Sequence, residues 1–186
     1  AEALREHYWA IADASPLPVL LHHVPPAYSG IDLSSGLVAE LSNHGSIVGI
    51  KHSNGDLKAM GGLIDSCRKG FSVLAGSGEV LFGALEVGAC GGIVAIANLA
   101  PSECADVIRL RKAERAAEAG ALQERLAPLH KSIVARLGVP GVKAALDLLG
   151  MAGGSPGAPL RRLRSKDARP CGEQLGRARL MAAAAA

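Results

Sequence analysis

The sequence contains no threonine, so any motif built on a threonine hydroxyl is excluded at the outset. Aromatic residues are scarce, with one Trp, two Tyr and two Phe in 186 residues. No apolar run approaches the roughly 20 residues that a membrane-spanning helix needs; the longest, from residue 91 onward, is shorter and rich in glycine. The four cysteines, Cys67, Cys90, Cys104 and Cys171, form no Cys-x-x-Cys pair. They read as small core residues of a reducing, cytoplasmic compartment rather than as a disulfide framework or a zinc site. The chain opens on a helical pattern at Leu4, Tyr8 and Ile11 instead of a basic, apolar, cleavable leader.

What is present is largely apolar. A 49% hydrophobic share against 20% charged residues excludes disorder for most of the chain and supplies the core of one domain, not two. The net charge of +3 is local. Residues 161–186 carry seven Arg and Lys against Asp167 and Glu173, while the other 160 residues hold 13 basic and 15 acidic side chains. No aromatic interleaves the basic stretch, so it reads as a solvated, poorly ordered tail and not as a nucleic-acid surface. The alanine run at 182–186 carries no chemistry.

Four short apolar runs, at 18–21, 47–50, 71–75 and 92–97, read as buried parallel strands. They start roughly 20 to 30 residues apart, as repeated strand–helix units require. Each precedes a helical stripe. Leu37, Val38 and Leu41 follow a cap at Ser34 or Ser35; Leu57, Met60, Leu63, Ile64 and Cys67 form the second; Val80, Leu81, Ala84 and Leu85 the third. Cys104, Val107 and Ile108 form the fourth, behind Pro101 and a cap at Ser102. Leu122, Leu126, Leu129, Ile133 and Leu137 then mark a long helix ending at Gly138, with a kink or break expected at Pro128. Val142, Ala145, Leu146 and Leu149 mark a shorter last helix.

This order predicts an α/β fold, either an open doubly wound sheet or part of a (β/α)₈ TIM barrel. No Gly-x-Gly-x-x-Gly fingerprint follows a strand, which disfavours the first. Four βα units make half a barrel, and a whole one takes about 250 residues. The expected organisation is a half TIM barrel over residues 1–115, a C-terminal helical extension over 116–160 and the basic tail over 161–186.

Ligands of either architecture bind at the C-terminal ends of the strands. Those ends carry His22-His23, Lys51-His52-Ser53-Asn54, Gly76-Ser77-Gly78 and Ala97-Asn98. Lys51 stands out because a buried strand delivers it to the rim, where a partly desolvated lysine presents the free amine that a carbonyl needs to form a Schiff base. By spacing alone the favoured reading is blander, a lysine snorkelling at a strand end. His22 and His23 should face opposite ways, because neighbours on a strand alternate. Adjacent histidines of that kind, with no His-x-x-x-His and no convergent carboxylates, make a poor metal site from His22, His23, His44 and His52.

Several ordered motifs change those odds. Leu17-Pro18-Val19-Leu20-Leu21-His22-His23-Val24-Pro25, Gly30-Ile31-Asp32-Leu33 and Ile47-Val48-Gly49-Ile50-Lys51-His52-Ser53-Asn54-Gly55-Asp56 are among them. Val73-Leu74-Ala75-Gly76-Ser77-Gly78, Gly91-Gly92-Ile93-Val94-Ala95-Ile96-Ala97-Asn98 and Val139-Pro140-Gly141-Val142-Lys143 follow in turn. Together they resemble the C-terminal half of the dihydrodipicolinate synthase/N-acetylneuraminate lyase superfamily, from about residue 1 to 163. The resemblance implies a class I aldolase or lyase that needs no cofactor and no metal. It would act on a small 2-keto acid of pyruvate or glyoxylate type, as a homo-oligomer, with no nucleic-acid or membrane partner.

The resemblance also assigns roles. Lys51 takes the place of the Schiff-base lysine, Ser53 that of a substrate contact, and Ile93 that of a backbone facing the bound keto acid. Gly76 and Ser77 line the site near the substrate's distal end, and Gly78 belongs to the strand-to-helix turn. His22 stands where the family has the tyrosine that relays protons, so the site is served either by an imidazole acid/base or by an inert ring. His52 is expected to be peripheral, and Tyr28 to anchor its loop. The family's Gly-Thr-Thr-Gly carboxylate loop cannot occur in a chain without threonine. No arginine follows Val24-Pro25, where the synthases hold their aldehyde partner, which leans toward 4-hydroxy-2-oxoglutarate aldolase-like members. A second reading is a catalytically inactive half-barrel that binds a partner or self-associates through exposed sheet edges.

Overall fold

A computed structural model describes residues 2–181; the alanine run at 182–186 lies outside them. The chain divides into two compact units, Ala1–Ile93 and Val94–Ala186, the division falling earlier than the boundary expected at residue 115.

The first unit opens with α1 (Glu2–Ala14). Ala12 is buried, whereas Ile11, expected on the inner stripe, is exposed. Arg5 stacks its guanidinium over Trp9 and reaches Glu40 at 3.4 Å, while Asp13 bonds His44 at 3.0 Å. Strand β1 (Val19–His23) leads through the short α2 (Pro26–Ser29) to α3 (Ser35–Ser42), whose first turn is capped by Ser34 Oγ accepting from the Leu37 N–H. Strand β2 (Ile47–His52), α4 (Leu57–Ser66), β3 (Ser72–Ala75), α5 (Leu81–Glu86) and β4 (Gly91–Gly92) complete the unit.

The sheet order is β1-β2-β3-β4 with every pair parallel. A doubly wound sheet reverses its order part-way; four strands in unbroken sequence are the winding of a barrel wall, as expected. Leu21, Ile50, Val73 and Ala75 point to one face and are buried, with Met60, Leu63 and Leu81 from the flanking helices. On the other face Leu20 stays 41% exposed. Parallel sheets are normally covered on both faces. This one has a dry face and a half-open one.

The last strand is shorter than expected. Ile93 donates its N–H to Ala75 O at 2.8 Å, and the apolar residues beyond it turn into a 3₁₀ segment, Ala95–Asn98, instead of continuing the ladder.

The second unit is helical. After the 3₁₀ turn come α6 (Pro101–Lys112) and α7 (Ala116–Leu129). Pro101 starts α6 without a side-chain cap, and Ser102 lies inside the helix rather than capping it. Pro128 does not break α7. The chain instead widens into a π-helical stretch, His130–Ala135, just beyond it. The real break is at Gly138 (φ 61°, ψ −150°), a conformation that only glycine adopts readily, within the segment α8 (Arg136–Leu148). Lys143 Nζ donates to Gly153 O at 2.7 Å and Asp147 accepts from Gly153 N–H at 2.8 Å, which ties down the glycine-rich loop after α8.

The tail expected to be poorly ordered from residue 161 is helical over part of its length. Residues Ser165–Arg177 form α9, because Cys171, Leu175 and Ala178 recur at fours and threes and are buried. The cysteines also divide: Cys104 and Cys171 are buried, while Cys90 is exposed. Burial pushes the Cys104 thiol up to about 11, with neighbouring Glu103 adding to it.

Candidate active site

The strand ends of the first unit bring His22, Lys51 and Ser53 to one face of the sheet. His22 and Lys51 are register partners on β1 and β2, about 5 Å apart across the ladder. Ser53 follows Lys51 by two residues and so shares its face. Its N–H donates to His23 O at 3.1 Å, and the Gly76 N–H donates to His52 O at 2.8 Å, so both backbones stay in register one residue past the ladders. Ser53 Oγ then lies 3.3 Å from His22 Nε2.

Lys51 is half-buried and His22 exposed. Desolvation, the Lys51 ammonium and His23, in that order, hold the His22 imidazole below its ordinary value. It is therefore the neutral base form that stands beside the lysine at neutral pH.

Gly76 meets Ser53 directly. A Cβ there would lie 2.1 Å from Ser53 Oγ and 2.8 Å from its Cα and Cβ. Ser77 follows at the turn, half-buried. Ile93 commits its N–H to Ala75 and leaves its side chain 46% exposed. Tyr28 is 83% exposed and anchors nothing with its ring.

The reverse face holds a pair whose facing the sequence foretold but whose contact it did not. His23 (5% exposed) and His52 (4% exposed) are buried there, their rings 5.0 Å apart, and His23 Nε2 lies 3.1 Å from Asp32 Oδ1. His52 is thus remote from the Lys51 side chain because strand neighbours alternate. Its Nδ1 is buried without a hydrogen-bond partner among the described residues. Desolvation first, then His23, lowers its affinity for a proton against the opposing pull of Asp56 and Asp32.

Stability should follow. Below pH 6.5 the unfolded chain protonates His52 while the folded chain resists, so the unfolded state gains and stability falls as pH drops toward the lowered folded value. Thermal unfolding scanned from pH 7.5 to 5 should show this decline, and His52→Gln should flatten it. An equal slope in both proteins would refute the assignment.

Among the described residues no group of three or more His, Cys, Asp or Glu side chains could hold a metal ion. No helix among them is long and apolar enough to cross a membrane. A cavity of about 450 Å³ occurs in the helical unit, walled by Val134, Val139, Val142 and Leu146 with Asn98 and Lys143; none of Lys51, His22, Ser53, Gly76, Ser77 and Ile93 lines it.

Residues 1–175 match the model of the dihydrodipicolinate synthetase family. The chain belongs to that family. It is 33% identical over 162 residues to a 4-hydroxy-tetrahydrodipicolinate synthase of Syntrophus aciditrophicus, covering 87% of this chain and 55% of that protein. A 4-hydroxy-tetrahydrodipicolinate synthase of Methanoculleus marisnigri is 35% identical over 161 residues, covering 86% and 55%. Among solved structures, the dihydrodipicolinate synthase of Acinetobacter baumannii in complex with pyruvate is 32% identical with a TM-score of 0.91, over 97% of this chain and 62% of that one. The chain spans little more than half the length of these family members. Its fold is that of a partial TIM barrel with helices after it, as the motif order implied.

Proposed function

We propose that this chain carries the lysine half of a Schiff-base aldolase or lyase acting on a pyruvate-type 2-keto acid. The observation that carries the reading is Lys51 on the open face of the sheet, paired in register with a neutral imidazole. The pyruvate held by the Acinetobacter baumannii relative supports the substrate class.

In this reading Lys51 Nζ adds to the keto carbon and water leaves, giving a protonated imine. The imine draws electrons from the adjacent carbon, and His22 takes or returns the proton there as the enamine forms and collapses. In the same reading Ser77 and the backbone at Ile93 would contact the bound keto acid. The finer specificity is that of a 4-hydroxy-2-oxoglutarate aldolase. The hydroxyl proton goes to the base, the C3–C4 bond breaks, glyoxylate leaves, and water releases pyruvate from the lysine. The absence of any guanidinium in Pro26–Ser29 supports it over the synthase reaction. The reading is of a cytoplasmic homo-oligomer, and the edges of β1 and β4, each paired on one side only within the sheet, favour association.

Exchange of the pyruvate methyl protons for deuterium, followed by proton NMR, tests the proposal. An enamine requires that exchange, and pyruvate that keeps its protons at the buffer-only rate would refute it.

A further inference from the structure

We infer that Ser53 is a positioning residue for His22: its hydroxyl, seated against the bare Cα of Gly76, donates to His22 Nε2 and holds the imidazole beside Lys51. The inference rests on the function proposed above. It moves Ser53 and Gly76 from substrate contacts to the geometry of the proton-moving ring.

Three observations carry it. First, register and alternation place His22, Lys51 and Ser53 on one face, although His22 and Ser53 are 31 residues apart in sequence. Second, the Oγ to Nε2 separation of 3.3 Å is within hydrogen-bond reach, and each residue's strand is pinned by a backbone bond at that level. Third, the neighbouring strand offers Ser53 room only because residue 76 lacks a side chain; a Cβ would occupy the place of Ser53 Oγ. A glycine that lined the site for the substrate's sake would not need to face a serine at that distance.

The chemistry follows from the donor. A hydroxyl that donates to Nε2 selects the tautomer with the proton on Nδ1, leaving Nε2 as the basic nitrogen. When Nε2 takes a proton the hydroxyl can turn and accept from it, so Ser53 stays bonded to the ring in both protonation states. The other groups near His22 are Lys51 from β2, which shares its face, and His23, the next residue on β1, whose ring turns to the reverse face and bonds Asp32; Tyr8 from α1 lines a cavity of about 80 Å³ with both histidines.

Nitrogen-15 NMR of histidine-labelled protein, without substrate, tests the inference. In the wild type the His22 ring should carry its proton on Nδ1 and titrate below 6.5. Ser53→Ala should shift the His22 tautomer toward Nε2–H. Ser53→Thr, which keeps the hydroxyl, should resemble the wild type. Gly76→Ala should reproduce the Ser53→Ala spectrum although Ser53 is present; if that variant fails to fold, the Ser53 pair decides. An unchanged tautomer in Ser53→Ala, or a Thr variant shifted as far as the Ala variant, would overturn it. In the exchange assay Ser53→Ala should lower the maximal rate about tenfold with little change in KM. A protein that shows the NMR shifts yet never exchanges pyruvate would refute the proposed function and leave the positioning role standing.

Discussion

Lys51→Met should abolish pyruvate methyl exchange, by a factor on the order of 10³ or more. Methionine keeps the length and the apolar stem of the lysine but has no amine to form the imine. Without the imine there is no electron sink, and the proton on the adjacent carbon stays too weakly acidic for an imidazole to remove. His22 should report the same substitution independently. The Lys51 charge is among the causes that hold its imidazole down, so the His22 midpoint should rise in Lys51→Met. Exchange at the wild-type rate in this variant would show that another group does the chemistry.

Gly49→Ala should cost about 3 kcal/mol, because overpacking a tight core commonly costs 1–3 kcal/mol and here the obstacle is backbone. A Cβ at residue 49 would lie 2.4 Å from Ser72 O and 2.9 Å from both Leu20 Cδ1 and Ser72 Cβ. Ser72 is the register partner of Gly49 on β3, so the strand that delivers Lys51 would have to move away from its neighbour. For a chain of this length the loss corresponds to a Tm lower by roughly 6 to 12 °C. Gly62→Ala is the control. That glycine is exposed inside α4 with nothing within 4 Å of an added Cβ, so alanine should stabilise by about 1 kcal/mol through helix propensity alone. Opposite signs at the two glycines, read by thermal unfolding, would separate packing from propensity.

How much of this was legible in the sequence depended on whether local pattern or long-range contact decided. The runs at 18–21, 47–50 and 71–75 are bracketed by helix caps and turns, and each forms a strand, the first two continuing to His23 and His52. The run after Gly91 is as apolar as a strand, but apolar composition alone does not distinguish a ladder from a 3₁₀ turn. The distinction came from where Ile93 spends its N–H. The basic stretch hid α9 because its charge dominates its composition; only the spacing of Cys171, Leu175 and Ala178 marks the buried stripe.

The candidate site divides the same way. Lys51 and His22 could be placed because strand ends and alternation are local properties. The Ser53–His22 contact could not, since it needs the register of β1 on β2, and the reason for Gly76 needs the distance between β2 and β3. The buried pair His23 and His52 was half legible: alternation sent them to the far face, but nothing local said that they would meet there.

Whether Lys51 is the Schiff-base amine is decided by incubating the protein with pyruvate, reducing with borohydride and mapping the adduct by peptide mass spectrometry. Hydride reduces the imine carbon and fixes the keto acid on the lysine as a secondary amine. The chain has seven lysines. One pyruvate-derived adduct per chain is expected, on Lys51 alone and absent from Lys51→Met. An adduct on any other lysine, an undiminished adduct in Lys51→Met, or no adduct at saturating pyruvate would contradict it.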